Sequence, residues 1–292
     1  MSQGRPYVGR FAPSPTGRLH LGSMVAAVAS WLDARAAGGT WLVRMEDLDP
    51  PREVPGAADD ILRTLEGFGL VWDGAVWRQS TRDAAYAAAL SELDRAGWAF
   101  GCACTRKELA AANGLSVYPG TCRNGVPAGK RARSWRFRMA GDEPLTWVDA
   151  VQGPQRVRRA DVGDVVLRRA DGFWAYHLAV VVDDLAQGVS DVVRGADLLE
   201  ATAAHLAVYE ALKGAAPRYA HLPVVTNSQG QKLSKQTLAL PVETASAPHV
   251  LSMVLAHLGQ PEVALDAPHR MLAQAALKWD IRTVPQGSRE GG

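Results

Sequence analysis

This sequence has few cysteines, no long apolar run and almost no excess of charge. Three cysteines in 292 residues are an odd number and cannot form a complete disulfide framework, which indicates a reducing compartment. The most apolar stretch, residues 178–182, is far too short to span a bilayer, and the N-terminus lacks the pattern of a secretory signal. We therefore predict a soluble, cytoplasmic protein.

The charge balance gives no argument for nucleic-acid binding from bulk charge. The formal net charge is +2, so any such binding must rest on a local patch. Basic residues do cluster in two stretches, 130–138 and 156–169. This clustering fits a patch for RNA phosphates and a solvated surface with interspersed acids equally well. Hydrophobic residues make up 47% of the chain, which allows a sizeable core.

The spacing of apolar residues predicts an α/β fold that begins with a βαβ unit. A strand at 7–12 is followed by a Pro/Gly loop at 13–17, a helix at 21–37 and a second strand at 40–45. The two strands should be parallel, with a right-handed crossover. Further elements are predicted as helices at 57–68, 81–96, 198–212 and within 242–283, strands at 191–194 and 221–225, and a strand or helix start at 173–183.

The pattern degrades between residues 98 and 165, which indicates an insertion in this fold. Five segments follow from this reading. They are the first half of a catalytic domain (1–97), an insertion subdomain (98–165), the second half of the catalytic domain (166–240), a C-terminal helical region (241–284) and a disordered tail (285–292).

A detailed string near the N-terminus has the features of a phosphate site. It runs from Arg10 through Pro13 and His20 to Ser23, at the start of the predicted helix. A helix N-terminus presents unpaired N–H groups and a partial positive charge, so it attracts phosphate. His20 can donate to phosphate oxygens, and Gly22 leaves room for adenine or ribose. The alternative is an ordinary Pro-rich loop with a helix-capping histidine.

Arg10 and Glu46 lie near the carboxyl ends of the first two predicted strands, where open parallel sheets bind ligands. One cation and one anion in a shared crevice suit a zwitterionic ligand. Arg10 would bind a carboxylate, because its fork pairs a carboxylate bidentately, and Glu46 would bind an ammonium group. Alternatively, Arg10 forms a structural ion pair with Glu46 or Asp47.

A second motif, Gly-Gln-Lys232-Leu-Ser-Lys235, lies in a polar loop. Two lysines on such a loop can fold over a triphosphate and neutralise charge on the leaving pyrophosphate. The tetrapeptide alone is a weak signal, because most lysine-rich loops are merely solvated. Its position after the first motif indicates attack of a carboxylate on the α-phosphate of ATP, which is amino-acid activation.

All three cysteines, Cys102, Cys104 and Cys122, lie close together in the sequence, which suits a thiolate zinc site. No histidine lies nearby, so Tyr118 and Glu108 are the local oxygen candidates for a fourth ligand. Alternatively, the three thiols are unrelated to one another. A bound zinc would staple a loop-rich insertion, because no acid–base pair accompanies the cluster.

As a set, these strings resemble class I aminoacyl-tRNA synthetases, with their HIGH and KMSKS signatures, and the glutamyl branch in particular. The resemblance covers residues 5–240 and implies a Rossmann-like parallel sheet with a zinc-containing insertion subdomain. The signatures depart from the family at Ser23 and Gln236, which weakens a role for these two residues. The matching strings are Arg10-Phe-Ala-Pro-Ser-Pro-Thr-Gly, Arg44-Met-Glu-Asp-Leu-Asp, Gln79-Ser with Tyr86, Cys102-Ala-Cys-Thr, Tyr176-His-Leu-Ala-Val-Val-Val-Asp-Asp, Val193-Arg-Gly-Ala-Asp-Leu-Leu and Lys232-Leu-Ser-Lys.

The length after the second motif points to a subfamily. The chain ends soon after this motif, which leaves only a short helical region and no room for an anticodon-binding domain. This short form, with Tyr118 and Cys122, resembles the glutamyl-queuosine tRNA(Asp) synthetase family. The resemblance implies activation of L-glutamate by ATP and Mg²⁺ without tRNA, and transfer of glutamate to the queuosine base in the anticodon loop of tRNA(Asp). We take a monomer as the default.

The resemblance also implies roles for individual residues. The glutamate site would comprise Arg10, Phe11, Ala12, Pro13, Ser14, Glu46, Tyr176 and Arg194. ATP would contact Thr16, Gly17, His20, Gly22 and Lys235, with His20, Lys232 and Lys235 as the catalytic residues. Zinc would bind Cys102, Cys104, Tyr118 and Cys122. Two other functions stay open, a truncated glutamyl-tRNA synthetase charging the 3′ end of tRNA(Glu) and a non-catalytic RNA-binding paralogue.

Overall fold

The structure, a computed structural model, describes residues 5–111, 117–226 and 241–290. The α-helices within these ranges are α1 (Leu21–Ala36), α2 (Ala57–Gly67), α3 (Asp83–Arg95), α4 (Arg106–Ala111), α5 (Arg159–Val162), α6 (Tyr176–Ala186), α7 (Leu199–Ala211), α8 (Ala247–His257) and α9 (Pro268–Lys278). The strands within them are β1 (Val8–Phe11), β2 (Thr40–Met45), β3 (Trp77–Arg78), β4 (Ala99–Cys102), β5 (Ser134–Phe137), β6 (Leu145–Asp149), β7 (Gly153–Val157), β8 (Val166–Arg168), β9 (Asp191–Gly195), β10 (Arg218–Leu222), β11 (Val224–Thr226) and β12 (Ser288–Glu290).

The first βαβ unit forms as predicted. β1 and β2 are parallel, and β3 extends the sheet beside β2. Helix α1 packs its apolar face on these strands, with Met24, Val28 and Leu32 completely buried. The chain leaves the helix through Gly38, whose φ of +63° is easily adopted only by glycine.

A second sheet brings later parts of the chain beside the first. Its order is β7-β6-β10-β9, with β10 parallel to both of its neighbours. The backbone N–H of Ser190, just before β9, donates to the carbonyl of Val8 on β1 at 2.9 Å. Arg10 and Arg194, near the far ends of β1 and β9, line the same cavity, so these two strands run in the same direction. The carboxyl ends of β1, β2, β9 and β10 therefore meet at one edge.

The segment 98–165 contains two different structures. Strands β4 and β5, together with β8 just beyond the segment, form a separate antiparallel sheet that carries Cys102. Strands β6 and β7 form an antiparallel hairpin, and β6 pairs with β10 in the second sheet. Residues of this hairpin can therefore reach the edge where β1, β2, β9 and β10 end. The predicted segment boundaries themselves stay predictions.

Two predicted elements differ in detail from the structure. The segment predicted at 221–225 as one strand is divided by Pro223, which has no N–H to donate, into β10 and β11. The segment at 173–183, predicted as a strand or a helix start, contains the start of helix α6 at Tyr176. No helix in the described ranges is long and apolar enough to cross a bilayer.

The C-terminal helices pack against the first βαβ unit. Leu251 of α8 and Met271 of α9 are completely buried in the same core as Val28 of α1. We predicted a disordered tail from residue 285, whereas residues 288–290 form β12 and pair in parallel with β11. This pairing supplies partners for backbone groups of β11, a long-range effect that the polar composition of the tail does not indicate.

Candidate active site

A cleft opens at the edge where β1, β2, β9 and β10 end. We call it the central cleft; its volume is about 360 Å³. Seven of the eight residues predicted for the amino acid line it, while Pro13 lines an adjoining cavity. The structure thus brings four side chains from distant parts of the sequence together. They are Arg10, Glu46, Tyr176 and Arg194.

Arg10 lies in this cleft with a partner that neither sequence interpretation included. Its Nε and Nη2 donate to the two carboxylate oxygens of Asp184 on α6, at 3.2 and 3.3 Å. The proposed structural pairing of Arg10 with Glu46 or Asp47 is therefore wrong. Asp47 instead accepts hydrogen bonds from the backbone and hydroxyl of Ser80. No described residue forms a hydrogen bond with Nη1 of Arg10, which leaves that nitrogen for a ligand.

Buried acids and a second arginine support this arrangement. Arg44 is completely buried, and its Nη2 lies 2.8 Å from Asp184 and 3.5 Å from Glu46. Burial alone would raise the pKa of Asp184, but Arg10 and Arg44 hold it below its usual value. For Glu46, burial dominates and raises the pKa above its usual value, although Arg44 and Arg10 oppose the shift. A cationic ligand group beside Glu46 would favour its charged form.

Arg194 is the second cation of the central cleft. Its Nε donates to Nε2 of His221 at 3.0 Å, and its Nη2 donates to the hydroxyl of Thr202 at 2.8 Å and to the carbonyl of Leu198 at 3.1 Å. Its Nη1 donates to the Tyr176 hydroxyl at 3.1 Å. The guanidinium is thereby fixed in orientation beside a phenol that can donate its own proton to a ligand.

A second cavity lies at the N-terminus of α1. This α1 cleft has a volume of about 590 Å³ and shares Phe11, Ser14 and Gly195 with the central cleft. Its lining includes Pro13, Thr16, His20, Gly22 and Ser23. The predicted phosphate string therefore borders the amino-acid side chains directly. Lys232 and Lys235, the other predicted ATP residues, lie outside the described residues.

His20 combines the two readings that the sequence left open. It is the N-cap of α1, where its Nδ1 accepts from the backbone N–H of Ser23 at 3.3 Å. Because Nδ1 is an acceptor, a neutral ring carries its proton on Nε2, which lies 3.2 Å from the Ser23 hydroxyl at the wall of the α1 cleft. Gly17, before it, has a φ of +136°, a conformation that favours glycine. The histidine thus caps the helix and faces the cavity.

A third cavity connects the central cleft to the insertion. This outer cavity, of about 510 Å³, shares Ser14, Glu46, Arg52 and Tyr176 with the central cleft. Its opposite wall comes from the insertion sheet and from the segment before α6. That wall includes Tyr118, Arg136, Asp164, Val166, Trp174 and His177. A group entering from this side can reach the central cleft.

The cysteine cluster has the geometry of a metal site. The Sγ atoms of Cys102, Cys104 and Cys122 all lie within 4.8 Å of one another, and those of Cys104 and Cys122 are 3.7 Å apart. A tetrahedral zinc with bonds of about 2.3 Å holds its sulfur ligands about 3.8 Å apart. The Tyr118 hydroxyl lies 3.4 and 3.5 Å from Cys102 and Cys104, at the fourth position. Glu108 instead pairs with Lys130.

The local electrostatics favour a thiolate at Cys102, whereas burial raises the pKa of Cys104. Burial alone would raise the pKa of Cys102, but hydrogen bonds from Tyr118, the backbone of Cys104 and Arg136 lower it to about 7. The Arg136 guanidinium also lies over the Tyr118 ring, 4.0 Å from its centroid. The donor set therefore fits zinc, and the unrelated-thiol interpretation does not account for this convergence.

The same arrangement of motifs occurs in known proteins. The family described as tRNA synthetases class I (E and Q), catalytic domain, matches residues 7–249. A glutamyl-Q tRNA(Asp) synthetase from Chromobacterium violaceum is 57% identical over 287 residues, covering 96% of each chain. One from Dechloromonas aromatica is 54% identical over 294 residues, covering 97% of each chain. The chain belongs to the glutamyl-Q tRNA(Asp) synthetase family, within class I.

Solved structures agree with this family assignment. A glutamate tRNA ligase from Elizabethkingia meningosepticum, in complex with its amino acid, superposes with a TM-score of 0.83 at 27% identity. The alignment covers 98% of this chain and 67% of the ligase. This match confirms the predicted class I synthetase fold. The chain is an enzyme of the ligase class.

The arginines at 156–169 are less available for RNA than their clustering suggests. Arg158 pairs with Asp161, Arg159 pairs with Glu210, and Arg169 pairs with Asp171. Three of the five arginines in this stretch therefore already have anionic partners, which favours the solvated surface with interspersed acids. Arg156 is exposed.

Sequence reasoning in this family member missed several residues of the site. Asp184, which holds Arg10, had a visible signal: two acids directly follow an apolar run on one helix, so burial with cations was foreseeable. Arg52, which lines both the central cleft and the outer cavity, had no such signal. Asp149 and His221 lie 72 residues apart, and no short motif connects them.

Proposed function

We propose that this enzyme activates L-glutamate with ATP, without tRNA, and transfers glutamate to the queuosine base in the anticodon loop of tRNA(Asp). One observation carries the proposal. The central cleft combines two buried arginines, a phenol and one carboxylate beside a cavity at a helix N-terminus. This donor set suits an amino acid with two carboxylates next to a triphosphate, and the relatives' names supply the second half of the reaction.

Glutamate would bind by matching each charge to one group of the central cleft. Glu46 would accept hydrogen bonds from the ammonium group. Arg194 and Tyr176 would hold the side-chain carboxylate, and the Nη1 of Arg10 would orient the α-carboxylate. Charge-assisted hydrogen bonds of this kind are strong in a buried cleft, because water competes weakly there. Glutamine, with a neutral side-chain amide, would lose the ionic part of the contact with Arg194.

Activation would be a displacement at phosphorus. An α-carboxylate oxygen attacks the α-phosphorus of ATP, the bond to the bridging oxygen breaks, and pyrophosphate leaves. His20 and the lysines Lys232 and Lys235 would neutralise charge on the phosphates, so catalysis is mainly positioning and electrostatic stabilisation. Mg²⁺ bound with ATP would neutralise part of the charge of the phosphates.

Transfer would use the outer cavity. A hydroxyl of the queuosine cyclopentenediol attacks the acyl carbonyl of glutamyl-adenylate, an ester bond forms, and AMP leaves. The outer cavity reaches the central cleft beside Glu46 and Tyr176 and can admit a nucleoside from the insertion side. Its aromatic and arginine side chains suit stacking against a flat base.

The function is tested in two steps with the purified protein. Without tRNA, we expect ATP–pyrophosphate exchange that depends on glutamate and is much weaker with glutamine or aspartate. Labelled glutamate is then loaded on tRNA(Asp) with queuosine, and on the same tRNA without it, and the labelled nucleotide is mapped after nuclease digestion. Label on the anticodon nucleoside supports the proposal. Label on the 3′ adenosine shows 3′-end charging instead, and absence of exchange contradicts activation altogether.

The outer cavity gives a specific prediction for transfer. Val166 on β8 lines it, so the substitution Val166→Trp should fill part of the space that the nucleoside needs. We expect glutamate-dependent exchange within about twofold of wild type. Transfer to tRNA should fall at least about tenfold, because a nucleoside that no longer fits the cavity loses more than about tenfold in affinity. The matched control is Val148→Trp, which adds the same bulk to a valine that is 75% exposed. Equal transfer by both variants contradicts the assignment.

Zinc in the cysteine cluster is part of the proposal, with Cys102, Cys104, Tyr118 and Cys122 as ligands and a structural role. We expect about one zinc per chain by elemental analysis and a near-complete loss in Cys122→Ser, since structural zinc sites need all of their thiolates. The control Thr121→Ser changes the exposed neighbour and should retain the metal. Zinc retained in Cys122→Ser, or absent from the wild type, contradicts this ligand set.

A further inference from the structure

A buried chain of polar groups connects the β6–β7 hairpin to the central cleft. Asp149 and His221 are 1% and 0% exposed, and the Asp149 Oδ2 lies 2.5 Å from the His221 Nδ1. On its other side, the His221 Nε2 accepts the hydrogen bond from the Nε of Arg194 at 3.0 Å and lies 3.2 Å from the Thr202 hydroxyl. Neither Asp149 nor His221 has a role in the proposed reaction.

The hydrogen-bond pattern fixes which nitrogen of His221 carries the proton. The Asp149 carboxylate can only accept, so Nδ1 donates to it and Nε2 is left as the acceptor for Arg194. The guanidinium of Arg194 can only donate, so Nε2 carries no proton and the imidazole is neutral. Burial, helped by the charge of Arg194 and opposed by Asp149, lowers the pKa of His221 in the same sense. A neutral ring in this tautomer matches the donor of Arg194.

The remaining donors of Arg194 show what this contact achieves. A guanidinium has five N–H groups. Four of them are used by His221, Thr202, the carbonyl of Leu198 and the Tyr176 hydroxyl. One N–H on Nη1 and the proton of the Tyr176 hydroxyl are left, and both side chains line the central cleft. The guanidinium therefore cannot rotate without breaking hydrogen bonds, so its remaining N–H points in one fixed direction.

A neutral acceptor also leaves the charge of Arg194 available to the ligand. Arg10 contrasts with this, because it is paired directly with the carboxylate of Asp184. A carboxylate in the position of His221 would hold Arg194 equally well but would cancel most of its attraction for a substrate carboxylate. The imidazole places the negative charge of Asp149 one ring farther away.

We propose that Asp149 and His221 are positioning residues that orient the Arg194 guanidinium toward the side-chain carboxylate of the amino acid and thereby set the affinity and selectivity for glutamate. This inference rests on the proposed function of the central cleft. It assigns a role in substrate specificity to the β6–β7 hairpin, which lies outside the signature strings quoted from the sequence.

The two oxygens of the Asp149 carboxylate have different partners, which allows a specific test of the contact with His221. Its Oδ1 accepts three backbone N–H groups, from Val151, Gln152 and His221, at 3.1, 2.9 and 3.0 Å. In Asp149→Asn the amide oxygen must stay on that side, so the NH₂ faces Nδ1 of His221 and donates to it. The proton of the imidazole then moves to Nε2, where it opposes the N–H of Arg194. The turn of the hairpin keeps its acceptor, so the fold is retained.

We expect Asp149→Asn to raise the KM for glutamate about tenfold in ATP–pyrophosphate exchange, which is the scale of one lost hydrogen bond to a charged group. The kcat and the KM for ATP should change less than about threefold, because the contact lies away from phosphorus. In the His221→Leu background, which has no polar group to relay the change, the added Asp149→Asn should change the KM for glutamate by less than about threefold. Selectivity for glutamate over glutamine should fall with the single variant.

Two further variants test the same contact without changing Asp149. His221→Gln keeps an acceptor near the position of Nε2, and His221→Leu removes it, so the first should restore most of the glutamate affinity that the second loses. Tyr7→Phe serves as a matched control, because it removes a hydrogen bond to Asp33 away from the cleft and should leave the KM for glutamate unchanged. Additive effects in the double variant, or an unchanged KM in Asp149→Asn and His221→Leu, overturn the inference. A wild type without glutamate-dependent exchange contradicts the proposed function instead.

Discussion

Replacing Arg194 by leucine is expected to lower kcat/KM for glutamate about a thousandfold, since removing one partner of a buried charge pair costs several kcal/mol. The Arg194 side chain is 5% exposed and lines the central cleft. Its loss leaves the side-chain carboxylate of the substrate without a cation in a site that water reaches poorly. The measurement is the initial rate of ATP–pyrophosphate exchange at low glutamate concentration, without tRNA.

A matched control comes from the adjacent strand. Arg218 on β10 has a side chain that is 78% exposed and does not line the central cleft, so Arg218→Leu should leave exchange within about twofold of wild type. Affinity for ATP should be close to wild type in both variants. Arg194→Lys keeps the charge but loses the fork and should recover only part of the activity. A near-normal KM for glutamate in Arg194→Leu contradicts the assigned role.

Replacing Arg44 by methionine is expected to lower the free energy of unfolding by about 3–5 kcal/mol, because it leaves buried carboxylates without their shared cation. Arg44 is completely buried and lies 2.8 Å from Asp184, 3.5 Å from Glu46 and 3.9 Å from Asp183. It also donates to Gln187 at 2.7 Å. Urea denaturation followed by circular dichroism measures the loss.

The pH dependence of this loss has a definite sign. Burial alone would raise the pKa of Asp184, but Arg10 and Arg44 hold it below its usual value in the folded protein. The stabilisation is therefore fully present above the unfolded-state value of about 4 and is lost as the pH falls through the lower folded-state pKa. The difference between wild type and Arg44→Met should shrink in that acid range.

The control for Arg44 is an exposed arginine of the same sheet. Arg78 on β3 pairs with Asp59, and both side chains are largely exposed. Arg78→Met should therefore cost less than about 1 kcal/mol. An equal loss of stability in the two variants would show that the buried cluster around Arg44 contributes no more than a surface ion pair.

The local elements were predictable because short-range patterns determine them. The helix predicted at 21–37 is α1 at Leu21–Ala36, and the strand predicted at 40–45 has the same limits in β2. Apolar spacing, glycine at the helix end and β-branched strand residues act within a few positions of one another. The cysteine cluster was predictable for the same reason, because Tyr118 and the cysteines are close in sequence.

The amino-acid sequence by itself determined the family, the order of the first strands and helices, and the side chains available at the carboxyl ends of the strands. Only the tertiary structure decided which partner each buried charge has. Arg10 meets Asp184 across 174 residues, and His221 meets Asp149 across 72. These pairs form because separate sheets and helices pack at one edge, and burial then forces every charge to find a partner from whichever element lies beside it. Packing of that kind leaves no short-range pattern in the sequence.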